Sequence, residues 1–290
     1  MPMLIPIQYH KRKYPKHITP EIDEIAAHFD ISMINVKRRF SLHTEYSYAK
    51  RRLSSELLKK FSTIKNAHKN NIPMLWYSEK WATEFAYFIK CLCNGNEPDL
   101  IEIHPPFSDY IENISNFLSR YKIFEEKILS YYSNCKILVE NRYGSIYKGG
   151  KFILSKGNEL RELCEHIERM NLKLRLALDI PQLLSAYGGP EKLKPEKLQN
   201  ILQRNNSLSS FTESIHLWGK RKNANGRNIA HCGNLDSYFV DHSKKEIFLD
   251  WIITFLSDGK PRFFVPEVNS SDEDLASIIN DLEKSGITFN

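Results

Sequence analysis

Six side chains able to hold a metal or move a proton stand at or beside the ends of short apolar runs: His10 after LIPIQY, His104 in LIEIH, Glu140 in ILVE, Asp179 in LRLALDI, His216 in IHLW and Glu267 in FFVPEV. Singly, each has a bland explanation, because a polar residue at a strand end more often completes a local hydrogen-bond network. Jointly they demand more. Burying several carboxylates around one place is costly unless a cation is paired with them. A divalent metal meets that demand, as does a basic side chain, with Arg142 and Lys220 the obvious candidates. A mixed oxygen and nitrogen ligand set suits zinc, manganese or iron. The stretch 215–235 adds a second histidine, His231, at the end of a loop carrying Lys220, Arg221, Lys222 and Arg227.

The elements that must position these groups follow from the apolar pattern. Short apolar runs at 4–9, 33–36, 73–77, 100–104, 137–140, 174–180, 215–218 and 263–268 read as strands buried on both faces. Helical periodicity or capping signals fill the intervals at 21–29, 48–69, 81–91, 108–131, 159–170, 195–203, 245–256 and 272–284. Thr19-Pro20 opens the first of these helices, and Ser270 or Ser271 caps the last. Strands alternating with helices to a count of eight predict a closed (β/α)8 TIM barrel forming a single domain over 1–290. An open doubly wound sheet would place a Gly-rich phosphate turn after an early strand, and there is none. In a barrel, the C-terminal strand ends carry the functional groups.

Composition agrees with a folded, water-soluble chain: 290 residues, 41% hydrophobic and 26% charged. Five cysteines with no CxxC pair indicate reduced thiols rather than a disulfide framework or a structural zinc site. The first residues contain no signal-like apolar run, and no stretch reaches the ~18 apolar residues of a membrane span. A cytoplasmic protein without a membrane partner is expected.

VENRYG around Glu140, LALDIPQ around Asp179, HLWG around His216 and VPEVN around Glu267 present Glu, Asp, His and Glu on four successive predicted strands. This order resembles the xylose isomerase-like TIM-barrel superfamily, which includes endonuclease IV (AP endonuclease family 2), UV-damage endonuclease and sugar isomerases and epimerases. IEIHPP, with His104, and GRNIAHCG, with His231, are similar to segments of the endonuclease IV branch. The resemblance implies a divalent metal at Glu140, Asp179, His216 and Glu267, with a second near His104 and His231. The chain departs from that branch in three places. Gln182 stands where the branch has a histidine, Ile229 where it has an aspartate, and Trp76 and Tyr77 where it has a strand-three histidine.

Such a metal set serves two reaction classes. In a hydrolase the metal activates water toward a phosphodiester, with Glu267 and Glu140 as the catalytic carboxylates. In a sugar isomerase or epimerase the same pair moves protons to and from carbon. Charge placement favours the first. The net charge is +6, and Lys11, Arg12, Lys13, Lys37, Arg38, Arg142, Lys148, Lys151, Lys220, Arg221 and Arg227 all follow predicted strands. A basic rim suits nucleic acid. His10, Arg142, Gln182, Lys220, Arg221 and Arg227 are expected to bind substrate, with Trp76 and Tyr77 stacking on bases. A barrel that binds nucleic acid without chemistry is a third expectation, distinguished by binding that needs no metal.

Overall fold

The computed structural model describes residues 1–26, 34–44, 55–70, 74–148 and 150–290. Eight parallel strands form the sheet: β1 (Met3–Gln8), β2 (Ile22–Ile25), β3 (Arg39–His43), β4 (Leu100–Ile103), β5 (Lys136–Glu140), β6 (Arg175–Asp179), β7 (Thr212–Leu217) and β8 (Arg262–Pro266). They lie in sequence order, and β8 also pairs with β1, which closes a (β/α)8 barrel. A short strand, Thr288–Phe289, adds to the outer side of β1 near its start.

The chain's contacts fall into two compact units, Met1–Asp23 with Leu176–Asn290, and Glu24–Arg175. In the first, β1 pairs with β8 (Leu4 with Arg262), and β7 bridges β6 and β8. That register sets Asp179 level with His216, and His216 level with Val265, two residues before Glu267. The helix Asp272–Lys284 covers this unit with Leu275, Ile278, Ile279 and Leu282. Its start is secured by the Ser271 side chain, which accepts from the Asp274 amide, and by acidic residues facing the positive end of the helix dipole.

In the second unit β4 lies between β3 and β5, with His43 opposite Glu102 and Ile103 opposite Val139. The residues that follow that last pair are His104 and Glu140. The helix Glu79–Cys93 packs on the helix Ile114–Tyr131 directly through Phe85 on Phe124, and the Trp76 ring touches both Trp81 of the first and Phe117 of the second. Burying such rings provides most of the driving force for this layer, on the order of 2–3 kcal/mol each.

The strands expected from 100 onward are present, but two earlier ones are displaced. The segment expected as a helix at 21–29 holds β2 at Ile22–Ile25, and its end lies outside the described residues. Pairing with β1, through Ile7 with Ile22 and Gln8 with Asp23, overrides the local helix-start signal. Residues 34–36 carry no regular structure, and the third strand runs instead at Arg39–His43. Residues 74–77 form a turn rather than a strand, with Trp76 in the left-handed region at φ 59°. Of the long helix expected at 48–69, two pieces are seen, Ser55–Lys59 and Ser62–Asn70, and its beginning lies outside the described residues. The loop after β7 carries an antiparallel hairpin, Lys220–Lys222 with Asn228–Ala230, and a short helix, Leu235–Phe239. No described helix is long and apolar enough to cross a membrane.

Candidate metal centre

In the unit Glu24–Arg175 three buried side chains able to ligate a metal meet at the strand ends. Imidazole nitrogens of His43 and His104 and a carboxylate oxygen of Glu140 all lie within 4.8 Å of one another. His43 occupies the middle of a chain of contacts. Its Nδ1 lies 3.0 Å from Glu24 Oε1, and its Nε2 lies 3.0 Å from Glu140 Oε2. His104 Nδ1 lies 3.5 Å from that same Glu140 oxygen, and the two imidazoles are 5.1 Å apart. Arg142 Nη1 donates to the other Glu140 oxygen at 3.1 Å.

Burial opposes a charged His43, but hydrogen bonds to Glu140 and Glu24 outweigh it and hold the imidazole pKa well above its usual value. A proton on Nε2 thus does what a cation between His43 and Glu140 would do, since it balances buried carboxylate charge. A carboxylate on the far nitrogen of an imidazole is also the usual outer support of a histidine metal ligand, because it fixes the tautomer and raises ligand basicity. The donor set and its support fit a divalent transition metal held by His43, His104 and Glu140.

The unit Met1–Asp23 with Leu176–Asn290 carries the remaining expected residues. His216 Nδ1 and His231 Nδ1 lie 3.5 and 3.2 Å from the two oxygens of Glu267. Burial alone would raise the Glu267 pKa; the charges and hydrogen bonds of His231 and His216 instead bring it well below the usual carboxylate range. Asp179 caps the short helix Ile180–Ser185 by accepting from the Gln182 amide at 2.8 Å, and its other oxygen accepts from Trp218 Nε1 at 3.0 Å. Trp218 in turn packs against His231, the rings tilted by 34° with centres 4.5 Å apart. His231 sits at φ 58°, so the backbone turns sharply there and aims the ring back at Glu267. His10, also at positive φ, follows β1 and feels the charge of Glu267, although burial first and then Arg12 lower its pKa.

Two sequence expectations change. Trp76 is fully enclosed, among Trp81, Phe85, Phe117 and Phe124, so it cannot stack on a base. Its indole instead donates to the His104 carbonyl at 2.8 Å, which makes it a support for that ligand. A histidine does stand at the end of the third strand: His43, which closes RFSLH. Its signal was a strand ending in histidine, masked by the basic run ahead of it. Glu24 was missed because it falls inside the segment expected to be helical.

The other expected substrate contacts are partly engaged. Lys220 reaches Glu191 at 3.3 Å and Arg221 reaches Asp274 at 2.8 Å, whereas Arg227 is exposed on the hairpin. Gln182 is buried beside Asp179. Tyr77 is half-buried against Tyr110.

No family model matches the chain, and no curated protein does. Among solved structures, "The crystal structure of AsfvAP:AG" aligns with a TM-score of 0.52 at 12% identity, covering 84% of this chain and 85% of that one. "Ignisphaera aggregans GH53 catalytic domain" aligns with a TM-score of 0.36 at 10% identity, over 79% of this chain and 62% of that one. At such identities the first likeness bears on the fold alone, and it agrees with the barrel.

Proposed function

We propose that the chain is a divalent-metal-dependent phosphodiesterase acting on nucleic acid. The observation that carries this reading is the convergence of His43, His104 and Glu140 with Glu24 behind them. One ion would be held by these three ligands. In the other unit Asp179, His216 and Glu267, at or just beyond the ends of β6 to β8, supply donors for another, with His231 beside Glu267.

A bound divalent cation supplies Lewis acidity, which lowers the pKa of water and polarises a phosphoryl oxygen. The chain's own groups do the rest. Glu267, kept ionised by its two histidines, is the carboxylate that would accept a hydrogen bond from the attacking water and orient it toward the phosphodiester. Arg142 neutralises the outer oxygen of Glu140 and so keeps that carboxylate charged while enclosed. His10, Gln182, Tyr77, Lys220, Arg221 and Arg227 are assigned to substrate, the cations to backbone phosphates. The likeness of the segments around Glu140, Asp179, His216 and Glu267 to the endonuclease IV branch makes damaged or abasic DNA the first substrate to try.

The test is cleavage of intact, abasic and ultraviolet-damaged strands with and without chelator. Cutting should disappear with chelator and in Glu267→Gln and His43→Ala, and return with added zinc or manganese only in the wild type. A metal-loaded preparation that leaves all strands uncut but exchanges solvent protons into a ketose would instead establish the isomerase reading. Metal-independent binding without cutting would establish a non-catalytic barrel.

A further inference from the structure

Three residues beyond Glu140 the chain exposes Tyr143, at 46%, and then Ile146, at 73%, the latter on a two-stranded hairpin formed by Ile146–Tyr147 and Gly150–Lys151. Single exposed apolar residues are ordinary. This one is unusual for how its hairpin is anchored. Phe107 and Phe152, both buried, stack 4.0 Å apart and form a β-bridge. The Ser108 amide donates to the Lys151 carbonyl at 2.8 Å, and the Lys151 amide to Ser108 Oγ at 3.0 Å. Gly150, at φ 89°, lies so close to Ser108 and Asp109 that any side chain there would collide. The hairpin is therefore tied to the segment after His104 rather than hanging loose, and an isoleucine is held out in water on a fixed support.

Its surroundings are cationic. Ile146 pairs directly with Lys151, so both side chains leave the same face of the ribbon. Lys148 and Lys151 are exposed. At the base of the loop Arg142 lies 5.7 Å from the Phe152 ring centre while it donates to Glu140, which links the hairpin to the metal ligand.

We infer that this hairpin is a wedge for a stacked nucleic-acid duplex: Ile146 enters a base step while Lys148 and Lys151 take the flanking phosphates, and Tyr143 offers a ring to an unstacked base. An apolar tip beside cations matches a ligand whose interior is stacked rings and whose edge is anionic, which is how apolar wedges kink duplexes. Because the loop is fixed to Glu140 through Arg142, a step opened by Ile146 lies at a set distance from the metal centre. This inference rests on the nucleic-acid reading above.

The experiment uses the full chain and a duplex carrying an abasic-site analogue beside 2-aminopurine, with an intact duplex as control. Wild-type protein should raise 2-aminopurine fluorescence on binding. Ile146→Ser should abolish that rise and weaken lesion binding about tenfold, with intact-duplex affinity changed less than about twofold, and Ile146→Leu should restore both. Lys151→Ala should weaken both duplexes equally and reduce the salt slope by about one. An unchanged fluorescence rise and affinity in Ile146→Ser, in a wild type that binds and cuts, overturns the wedge and leaves the phosphodiesterase reading standing. A wild type that binds no duplex overturns both. Loss of self-association in Ile146→Ser, with DNA behaviour unchanged, would also overturn the wedge by assigning the tip to a protein contact.

Discussion

His43 shows how one imidazole organises a centre. It joins Glu24 to Glu140 through opposite nitrogens, with its side chain only 11% exposed. Removing it in His43→Ala leaves two buried carboxylates without their shared partner. Breaking a buried pair in this way typically costs about 3–5 kcal/mol, and chemical denaturation of chelator-treated protein near pH 6 should show a loss of that order. The sign with pH is set by the raised pKa. The contribution of His43 is complete below its unfolded value of 6.5 and fades as pH rises through the folded one. The gap between wild type and variant should therefore narrow from pH 6 toward pH 10. Glu267 behaves oppositely: its stabilisation is present above about 4.5 and is lost as pH falls through its depressed folded value. A wild-type-to-His43→Ala difference that grew with pH would contradict the pairing.

Elements explain why some of this was legible in the sequence and some was not. Strands β4 to β8 are short apolar runs with the candidate ligand at, beside or just beyond their last residue, so the run and its polar end declare themselves together. β2 is IDEI, preceded by Thr19-Pro20 and an acid, which locally imitates a helix start; only its pairing with β1 makes it a strand. β3 alternates Phe40, Ser41, Leu42 and His43 behind a basic run, so hydrophobicity alone hides it. The converse error is PMLWY, apolar enough for a strand yet bent at Trp76 into a left-handed turn that no residue-type pattern betrays. Elements also depend on close backbone approach. At Gly219, just before the hairpin Lys220–Lys222 with Asn228–Ala230, an added Cβ would strike the Gly233 backbone and the Asn234 amide, and the Cys232 amide donates to the Gly219 carbonyl at 3.1 Å. Gly219→Ala must therefore push apart two backbones that hold His231 in place. A thermal melt should show about 1–3 kcal/mol of destabilisation, accompanied by weaker metal retention. A fully stable variant would mean that the loop relaxes freely.

At the scale of the whole molecule, charge separates the competing chemistries. Forty-one basic residues against 35 acidic ones give +6, a modest excess that matters only if it is gathered where a polyanion binds. The ion pairs of Lys220 with Glu191 and of Arg221 with Asp274 remove two cations from that count as free charges. Lys148, Lys151, Lys222 and Arg227 remain exposed on the two hairpins that follow β5 and β7. If these four contact phosphates, log K for duplex DNA should fall against log salt with a slope of about −3.6, from roughly −0.9 per phosphate neutralised. Ion-paired cations that exchange their carboxylates for phosphates would steepen it. Titrations between low and physiological salt measure this slope directly, and the fourfold substitution of these residues to alanine should make it shallower by about 3.6 while leaving metal content unchanged. A neutral sugar substrate predicts no such slope in the wild type. A slope shallower than about −1 would therefore remove the electrostatic argument for nucleic acid, whatever the metal centre holds.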